Sequence, residues 1–187
     1  MPATIVNAWT RFGERFFPPT IHPMIVHFPI ALLYLTLLAD IAAYLSGRPQ
    51  DGFFERMGFL TLTLSLVAIV AAGAAGLISE HFVHWTPSTQ AMLSAHQRDA
   101  VLTGIFALAA WALRWFSRYP TQPSTPEGPR GHWSVSGRGR LTLWSTACVL
   151  GAVVMVSITG AIGGTMVYGY GAGVAHETLK FLTRPTP

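Results

Sequence analysis

Four long apolar segments, separated by shorter polar stretches, follow one another along the chain. Each is close to the about 20 residues that a helix needs to cross the hydrocarbon core of a bilayer. The pattern predicts four membrane-spanning helices, at about residues 24–45, 57–78, 100–116 and 141–167. Because neighbours in sequence are usually neighbours in space, we expect an all-helical integral membrane protein with an up-down bundle of four helices.

The first twenty residues show a helical periodicity of their own. Apolar side chains recur on one stripe of a helix, at Ile5, Trp9, Phe12 and Phe16. We expect an amphipathic helix over residues 1–20 that lies in the membrane interface and ends at Pro18 and Pro19. The segment lacks the apolar central run of a cleavable signal peptide.

The transmembrane domain is expected to cover residues 21–175, followed by a C-terminal tail at 176–187. A loop at 119–140 is rich in Pro, Gly, Ser and Arg and should lie outside the membrane. Pro29 lies one turn into the first span and should kink it, because proline cannot donate a hydrogen bond to the carbonyl of Ile25.

Small residues recur in the second and fourth spans, at Gly73, Gly76, Gly160 and Gly164. Such spacing lets helix backbones approach closely, so the two spans are expected to form a tight seam. The aromatic third span, with Trp111, should then face lipid or another subunit. The two halves of the chain show no clear internal repeat, and alternating glycines after Val167 predict that the last span unwinds.

Composition supports the membrane assignment. The chain is 51% hydrophobic and 11% charged, whereas a soluble domain carries about 25% charged residues. The net charge of +4 comes mainly from arginines that flank the apolar spans, so no nucleic-acid partner is expected. Five Lys and Arg lie on the side of the termini and seven on the other, which favours periplasmic termini. The single Cys148 excludes a disulfide framework, a thiolate cluster and covalent haem attachment.

Histidines carry the candidate chemistry. On this topology six of the seven lie on the side of the termini: His22, His27, His81, His84, His96 and His176. A histidine in an apolar span is costly unless it is paired or liganded. The first and third spans are diagonal in an up-down bundle, so two imidazoles from these spans could hold a flat macrocycle between them.

We therefore predict a b-type haem near the periplasmic surface. Haem iron is commonly held by axial histidine, and its propionates favour water and basic groups. His27, the deepest histidine, and His96 are the predicted ligands, with His22 as the substitute for His27. Arg98 is placed to pair with a propionate.

Several alternatives remain open on the residues alone. The histidines could bond only to headgroups, water and helix ends, or form a Zn or Cu site or a quinone pocket. His81 and His84 could chelate a small ion. Asp40, the lone carboxylate in the apolar spans, is expected to snorkel or to meet Arg114 or Arg118 at the far surface, with a proton-relay role as the alternative.

Two stretches resemble a known bacterial family. Ile21-His22-Pro23-Met24-Ile25-Val26-His27-Phe28-Pro29-Ile30-Ala31 and the segment from Gly163 to Val174 are similar to landmarks of the four-span membrane family called domain of unknown function 2231. Asp40, Gly76-Leu77 and His96 also match, while Thr165-Met166 departs from the family's frequent His-Leu.

The resemblance implies four helices in the bacterial inner membrane and an association with electron transport, since related domains occur beside cytochrome c or Rieske-type modules. The predicted function is electron transport with haem b, without enzymatic activity, because no catalytic constellation is recognisable. The alternative is an accessory subunit, without a cofactor, of a respiratory or photosynthetic complex. In both cases the expected partners are lipid and the other subunits of such a complex.

Overall fold

The structure is a computed structural model that describes residues 21–46, 52–81, 83, 85–118 and 138–172. Within these ranges the elements are all helical. Four helical segments are long and apolar enough to span a membrane: Ile21–Leu45, Phe53–Glu80, Pro87–Ser117 and Leu143–Gly169. We call them the first to fourth spans. The all-helical, four-span prediction is confirmed.

Three of the predicted segments lie outside the described residues. These are the interfacial helix at 1–20, most of the loop at 119–140, and the tail at 176–187. The last residues of the predicted loop are described, and they belong to the helix Arg138–Gly164.

The first span is interrupted where the sequence predicts a kink. It consists of two helices, Ile21–Ile25 and His27–Leu45, with a turn at Val26 between them. Pro29 has no N–H to donate to the carbonyl of Ile25, so the regular hydrogen-bond ladder is broken at this point. The interruption separates His22 from His27 in backbone geometry as well as in sequence.

The helix of the third span begins at Pro87, well before the predicted start of that span at residue 100. Proline suits the first position of a helix, and Thr86 precedes it as a cap. The backbone N–H of Thr86 donates to Thr89 Oγ1 (2.9 Å), and Thr89 N–H donates back to Thr86 Oγ1 (3.4 Å). His96 consequently lies about two and a half turns inside this helix rather than at its end.

The helix of the fourth span changes from α-helical to π-helical at its C-terminal end. Arg138–Gly164 is α-helical and continues as a π-helical turn at Thr165–Gly169. The chain then leaves the helix at Gly171, whose φ of 67° lies in the left-handed region that glycine adopts without strain. The helix thus loosens and ends in the glycine-rich segment, as the alternating glycines predict.

Each span packs on its two neighbours in a ring. The first and second spans form one hairpin and the third and fourth another, with less extensive packing of first on fourth and second on third. The buried core lies at mid-bundle and consists of Leu33, Leu62, Ala107, Ala110, Val149, Ala152, Val153 and Val156. This arrangement makes the first and third spans diagonal, as predicted.

The predicted seam between the second and fourth spans is wrong. These spans are also diagonal, and in the described part of the chain they have no Cα atoms within 8 Å of each other. A Cβ added at Gly73, Gly160 or Gly164 would have no other atom within 4 Å. Close approach occurs instead at Gly151, where an added Cβ would lie 3.0 Å from the ring of Phe106 on the third span.

Candidate functional site

His22 and His96 meet across the diagonal of the bundle. Their ring centres are 6.2 Å apart and their planes are inclined by 79°, an edge-to-face arrangement. Both side chains are half-buried, one on the first span and one on the third. The structure therefore brings two imidazoles from the two hairpins to one point near the end of the bundle.

His22 is held by the second span. Its Nδ1 lies 3.0 Å from the carbonyl oxygen of Ala72. The ring rests against the helix at Gly76, where an added Cβ would lie 3.1 Å from His22 Cε1. Ala72 and Gly76 are one helical turn apart, so the ring covers this turn of the second span.

His96 is held by the fourth span in the same way. Its Nδ1 lies 2.9 Å from the carbonyl oxygen of Thr159. The ring rests at Gly163, where an added Cβ would lie 3.2 Å from His96 Cε1. Thr159 and Gly163 are again one turn apart.

These two hydrogen bonds decide the tautomer of each ring. A carbonyl oxygen can only accept, so Nδ1 must carry the proton in both His22 and His96. In a neutral imidazole the other nitrogen, Nε2, then has a free lone pair. Metal-bound histidines almost always have this arrangement, with the non-ligating nitrogen donating to a carbonyl or carboxylate.

His27 has different surroundings. Its side chain is exposed, and its Nδ1 lies 2.6 Å from the carbonyl oxygen of Pro23 in the preceding turn. Five residues correspond to about 140° around a helix, so His22 and His27 point to different sides of the first span. The structure therefore joins His96 with the substitute, His22, and not with the preferred ligand His27.

Arg98 has a partner other than the predicted propionate. Its Nε donates to Asp99 Oδ1 at 2.9 Å; the Arg98 side chain is 70% exposed and that of Asp99 only 5%. Next to it, Gln97 Nε2 donates to Glu80 Oε2 at 3.0 Å, which ties the end of the second span to the third. The bond between Gln97 and Glu80 therefore connects the helix segment that carries His96 to the second span.

Of the remaining histidines only His81 belongs to the described residues, and it does not join the pair. His81 is exposed and its Nδ1 bonds to the carbonyl oxygen of Leu77 (2.9 Å), on its own helix. His84, His132 and His176 lie outside the described residues. Across the described ranges no three His, Cys, Asp or Glu side chains are grouped closely enough to hold a metal ion.

A second polar cluster lies at the opposite end of the same two spans. Asp40 on the first span pairs with Arg114 on the third, with Oδ2 and Nη2 2.5 Å apart, and both side chains are 8% exposed. Arg114 Nε donates to Ser145 Oγ (2.8 Å), and Thr146 Oγ1 donates to Asp40 Oδ2 (3.0 Å). Arg114 was one of the two partners expected for Asp40. The pair was expected at the far surface, whereas in the structure it is buried in the bundle.

The sequence interpretation missed the groups that orient the histidines. The carbonyls of Ala72 and Thr159 belong to the backbone and have no signature in residue identity. Gly76 was identified as a packing residue and as part of a family landmark, and Gly163 as part of another landmark, but neither was connected with a histidine. Their common feature is the pattern Gly-Ala-x-Gly, which ends at Gly76 in the second span and at Gly163 in the fourth.

A family model described as "Predicted membrane protein (DUF2231)" matches residues 18–176 of the chain. The match covers all four spans and both polar clusters. No curated protein and no solved structure matches the chain.

Proposed function

We propose that this chain, which belongs to the DUF2231 family of predicted membrane proteins, binds a b-type haem between His22 and His96 and takes part in membrane electron transport. The observation that supports the proposal is the opposed pair of imidazoles, each with Nδ1 bonded to a carbonyl. This assigns the ligand role to His22 rather than to His27.

The number of donors favours haem over a bare metal ion. Zinc takes four protein ligands in structural sites and three in catalytic sites. Haem brings four nitrogens of its own and needs only one or two axial side chains. Two neutral imidazoles on diagonal helices fit this requirement, and in the described ranges no third ligand accompanies them. Bound haem would supply one-electron redox chemistry.

The protein's own contribution would be orientation. The carbonyls of Ala72 and Thr159 fix Nδ1 as the protonated nitrogen and so leave Nε2 of each neutral ring as the nitrogen available to a ligand. Arg98 is exposed and bonded to Asp99 through Nε. Two residues correspond to about 200° around a helix, so Arg98 and His96 point to different sides of the third span, and we do not assign Arg98 to a propionate.

We further propose that the chain lies in a bacterial inner membrane with both termini in the periplasm, as the Lys and Arg distribution favours. The histidine site would then lie near the periplasmic surface, where soluble or membrane-bound electron carriers have access. Other subunits of an electron-transport complex are the proposed partners.

A second candidate is an accessory subunit without a cofactor. It is favoured by the fact that His22 and His96 already contact each other edge to face and have their Nδ1 donors satisfied. Such a pair is a stable packing arrangement in its own right. In this case the two histidines would join the hairpins and bind no ligand.

An optical spectrum of the protein purified from haem-replete cells, with a pyridine haemochrome assay, separates the two candidates. We expect a Soret band that His22→Ala or His96→Ala abolishes and that His27→Ala and His81→Ala leave in place. Absence of the band in the wild-type protein would contradict the haem proposal. Metal analysis and extraction of bound quinone on the same sample would detect the other ligand classes.

A further inference from the structure

The two polar clusters are spaced identically along the two diagonal spans. The number of residues from His22 to Asp40 equals that from His96 to Arg114. The separation is about five helical turns, or about 27 Å, so each helix presents both of its residues on the same face. Equivalent positions of the two spans therefore meet at both ends of the bundle.

The second and fourth spans repeat each other in the same way. Both contain Gly-Ala-x-Gly, and in both the residue before this pattern supplies the carbonyl that accepts from a histidine. Gly58 precedes Gly76 by the same number of residues as Ser145 precedes Gly163. Gly58 and Ser145 both lie against Arg114: an added Cβ at Gly58 would be 3.0 Å from its Nη1, and Ser145 Oγ accepts from its Nε.

The buried core follows the same correspondence. Among the described residues, each non-glycine residue with no exposed surface has a buried counterpart at the equivalent position. The pairs are Leu33 with Ala107, Thr36 with Ala110, Leu62 with Val149, Ser65 with Ala152, and Ser145 with the buried Gly58. Burial is decided by tertiary packing, so this agreement is independent of the two glycine patterns.

The hydrophobic pattern alone shows no clear internal repeat, but the contacts and the burial favour one, and we propose that the chain consists of two copies of one helical hairpin related by a pseudo-two-fold axis along the bundle. Each copy builds one histidine clamp, meaning a histidine held by the next span's carbonyl and glycine: His22 with Ala72 and Gly76, and His96 with Thr159 and Gly163. The two clamps meet at the axis and form one site for a ligand that takes two equivalent nitrogen donors from opposite sides. The identity of that ligand as haem rests on the proposed function; the clamps do not.

Glycine favours each clamp for a steric reason. In an α-helix the carbonyl of one residue already accepts from the N–H four residues later, so an imidazole reaches that carbonyl only by passing over the later residue's side-chain position. At Gly76 and Gly163 a Cβ would lie 3.1 and 3.2 Å from Cε1 of the ring. A Cβ at either position would require the ring to shift by a few tenths of an ångström, and we infer that this shift weakens its bond to the carbonyl, which makes both glycines positioning residues.

The test compares Gly76→Ala and Gly163→Ala with matched controls in the same two patterns. The controls are Gly73→Ala and Gly160→Ala, because a Cβ at either position meets no atom within 4 Å. All four substitutions add the same methyl group to the same pair of helices. A general effect of replacing glycine in these spans would therefore appear in the controls as well.

The first readout needs no bound ligand. Side-chain ¹⁵N resonances of histidine, recorded in detergent at alkaline pH and assigned with His22→Gln and His96→Gln, report which ring nitrogen is protonated. We expect the Nδ1–H form for both rings in the wild type. Gly76→Ala should change the tautomer ratio of His22 only, and Gly163→Ala that of His96 only. In each case the ratio should shift about tenfold toward the Nε2–H form, which is the effect of losing one hydrogen bond.

Two results would overturn the clamps: Nε2–H tautomers in the wild type, or clamp variants whose spectra match the controls. The Soret band, measured on the same samples, tests the ligand separately. The expected tautomers without a band would remove haem and leave the duplicated clamps standing. A band that survives both clamp variants unchanged, with unchanged tautomers, would remove the clamps and leave haem in place.

Discussion

Asp40 and Arg114 form a buried ion pair that connects the first span to the third at the end of the bundle opposite His22 and His96. Neither hairpin contains both charges, so the pair forms only when the hairpins associate. Ser145 and Thr146 of the fourth span complete its hydrogen bonds. Unlike the two histidines, the two charges are not interchangeable, and they distinguish the hairpins from each other.

Removing one partner of this ion pair should destabilise the bundle strongly. Arg114→Ala or Asp40→Ala leaves an unpaired buried charge, and breaking a buried pair in this way costs about 3–5 kcal/mol. Replacing both, as Asp40→Leu with Arg114→Met, should be less destabilising than either single change, because no charge remains buried. Thermal unfolding in detergent would measure the order of the three variants.

Arg56→Ala is the control for that experiment, because Arg56 is exposed near the same end of the bundle. We expect it to shift stability by less than about 1 kcal/mol. If the double variant of Asp40 and Arg114 were less stable than both single variants, the ion pair would contribute net stability. That result would contradict the order expected for the three variants.

Glycine substitutions should locate the real close contact between spans. Gly151→Leu places a large side chain against the ring of Phe106, where even a Cβ would lie at 3.0 Å, and should cost about 1–3 kcal/mol as an overpacked position. Gly160→Leu points into open space on the exterior and should leave the melting temperature close to that of the wild type. If Gly160→Leu were instead the more destabilising of the two variants, the result would support the predicted seam between the second and fourth spans.

Trp111 should matter for the fold and not only for association. It is half-buried against the core, donates from Nε1 to Thr63 Oγ1 (3.2 Å) and stacks on Trp115 with ring centres 5.1 Å apart. Truncating a fully buried tryptophan costs about 3–5 kcal/mol. Trp111 is half-buried, so we expect Trp111→Ala to be destabilising by a part of that amount. Trp115, 39% exposed, is the comparison, and Trp115→Ala should cost less. Unfolding curves of equal midpoint for the two variants would contradict this.

Orientation is testable by thiol labelling in intact cells. In a Cys148→Ala background, Ser88→Cys lies at the exposed start of the third helix, and Val135→Cys lies between the third and fourth spans. With periplasmic termini, an impermeant reagent should label position 88 directly and position 135 only after permeabilisation. Labelling in the opposite order would invert the topology and move the histidine site to the cytoplasmic side.

The four spans and the diagonal relation of the first and third could be predicted from the sequence alone. Hydropathy is a local property, and an apolar run of sufficient length has few alternatives to crossing the membrane as a helix. Arg114 as a partner for Asp40 could also be named, because a carboxylate in an apolar span needs a cation at its own depth. The early start of the third helix was missed, because its first turns are polar and add nothing to a hydropathy signal.

Which histidine faces His96 was decided only by the tertiary structure. His22 and His27 lie on the same span within about one and a half turns, and only the helix rotation and the break at Val26 turn His22 inward and leave His27 exposed. The carbonyls that fix the two rings belong to backbones of other spans, and residue identity does not reveal a backbone acceptor. Hydropathy thus determined the bundle, while packing between its hairpins decided the site.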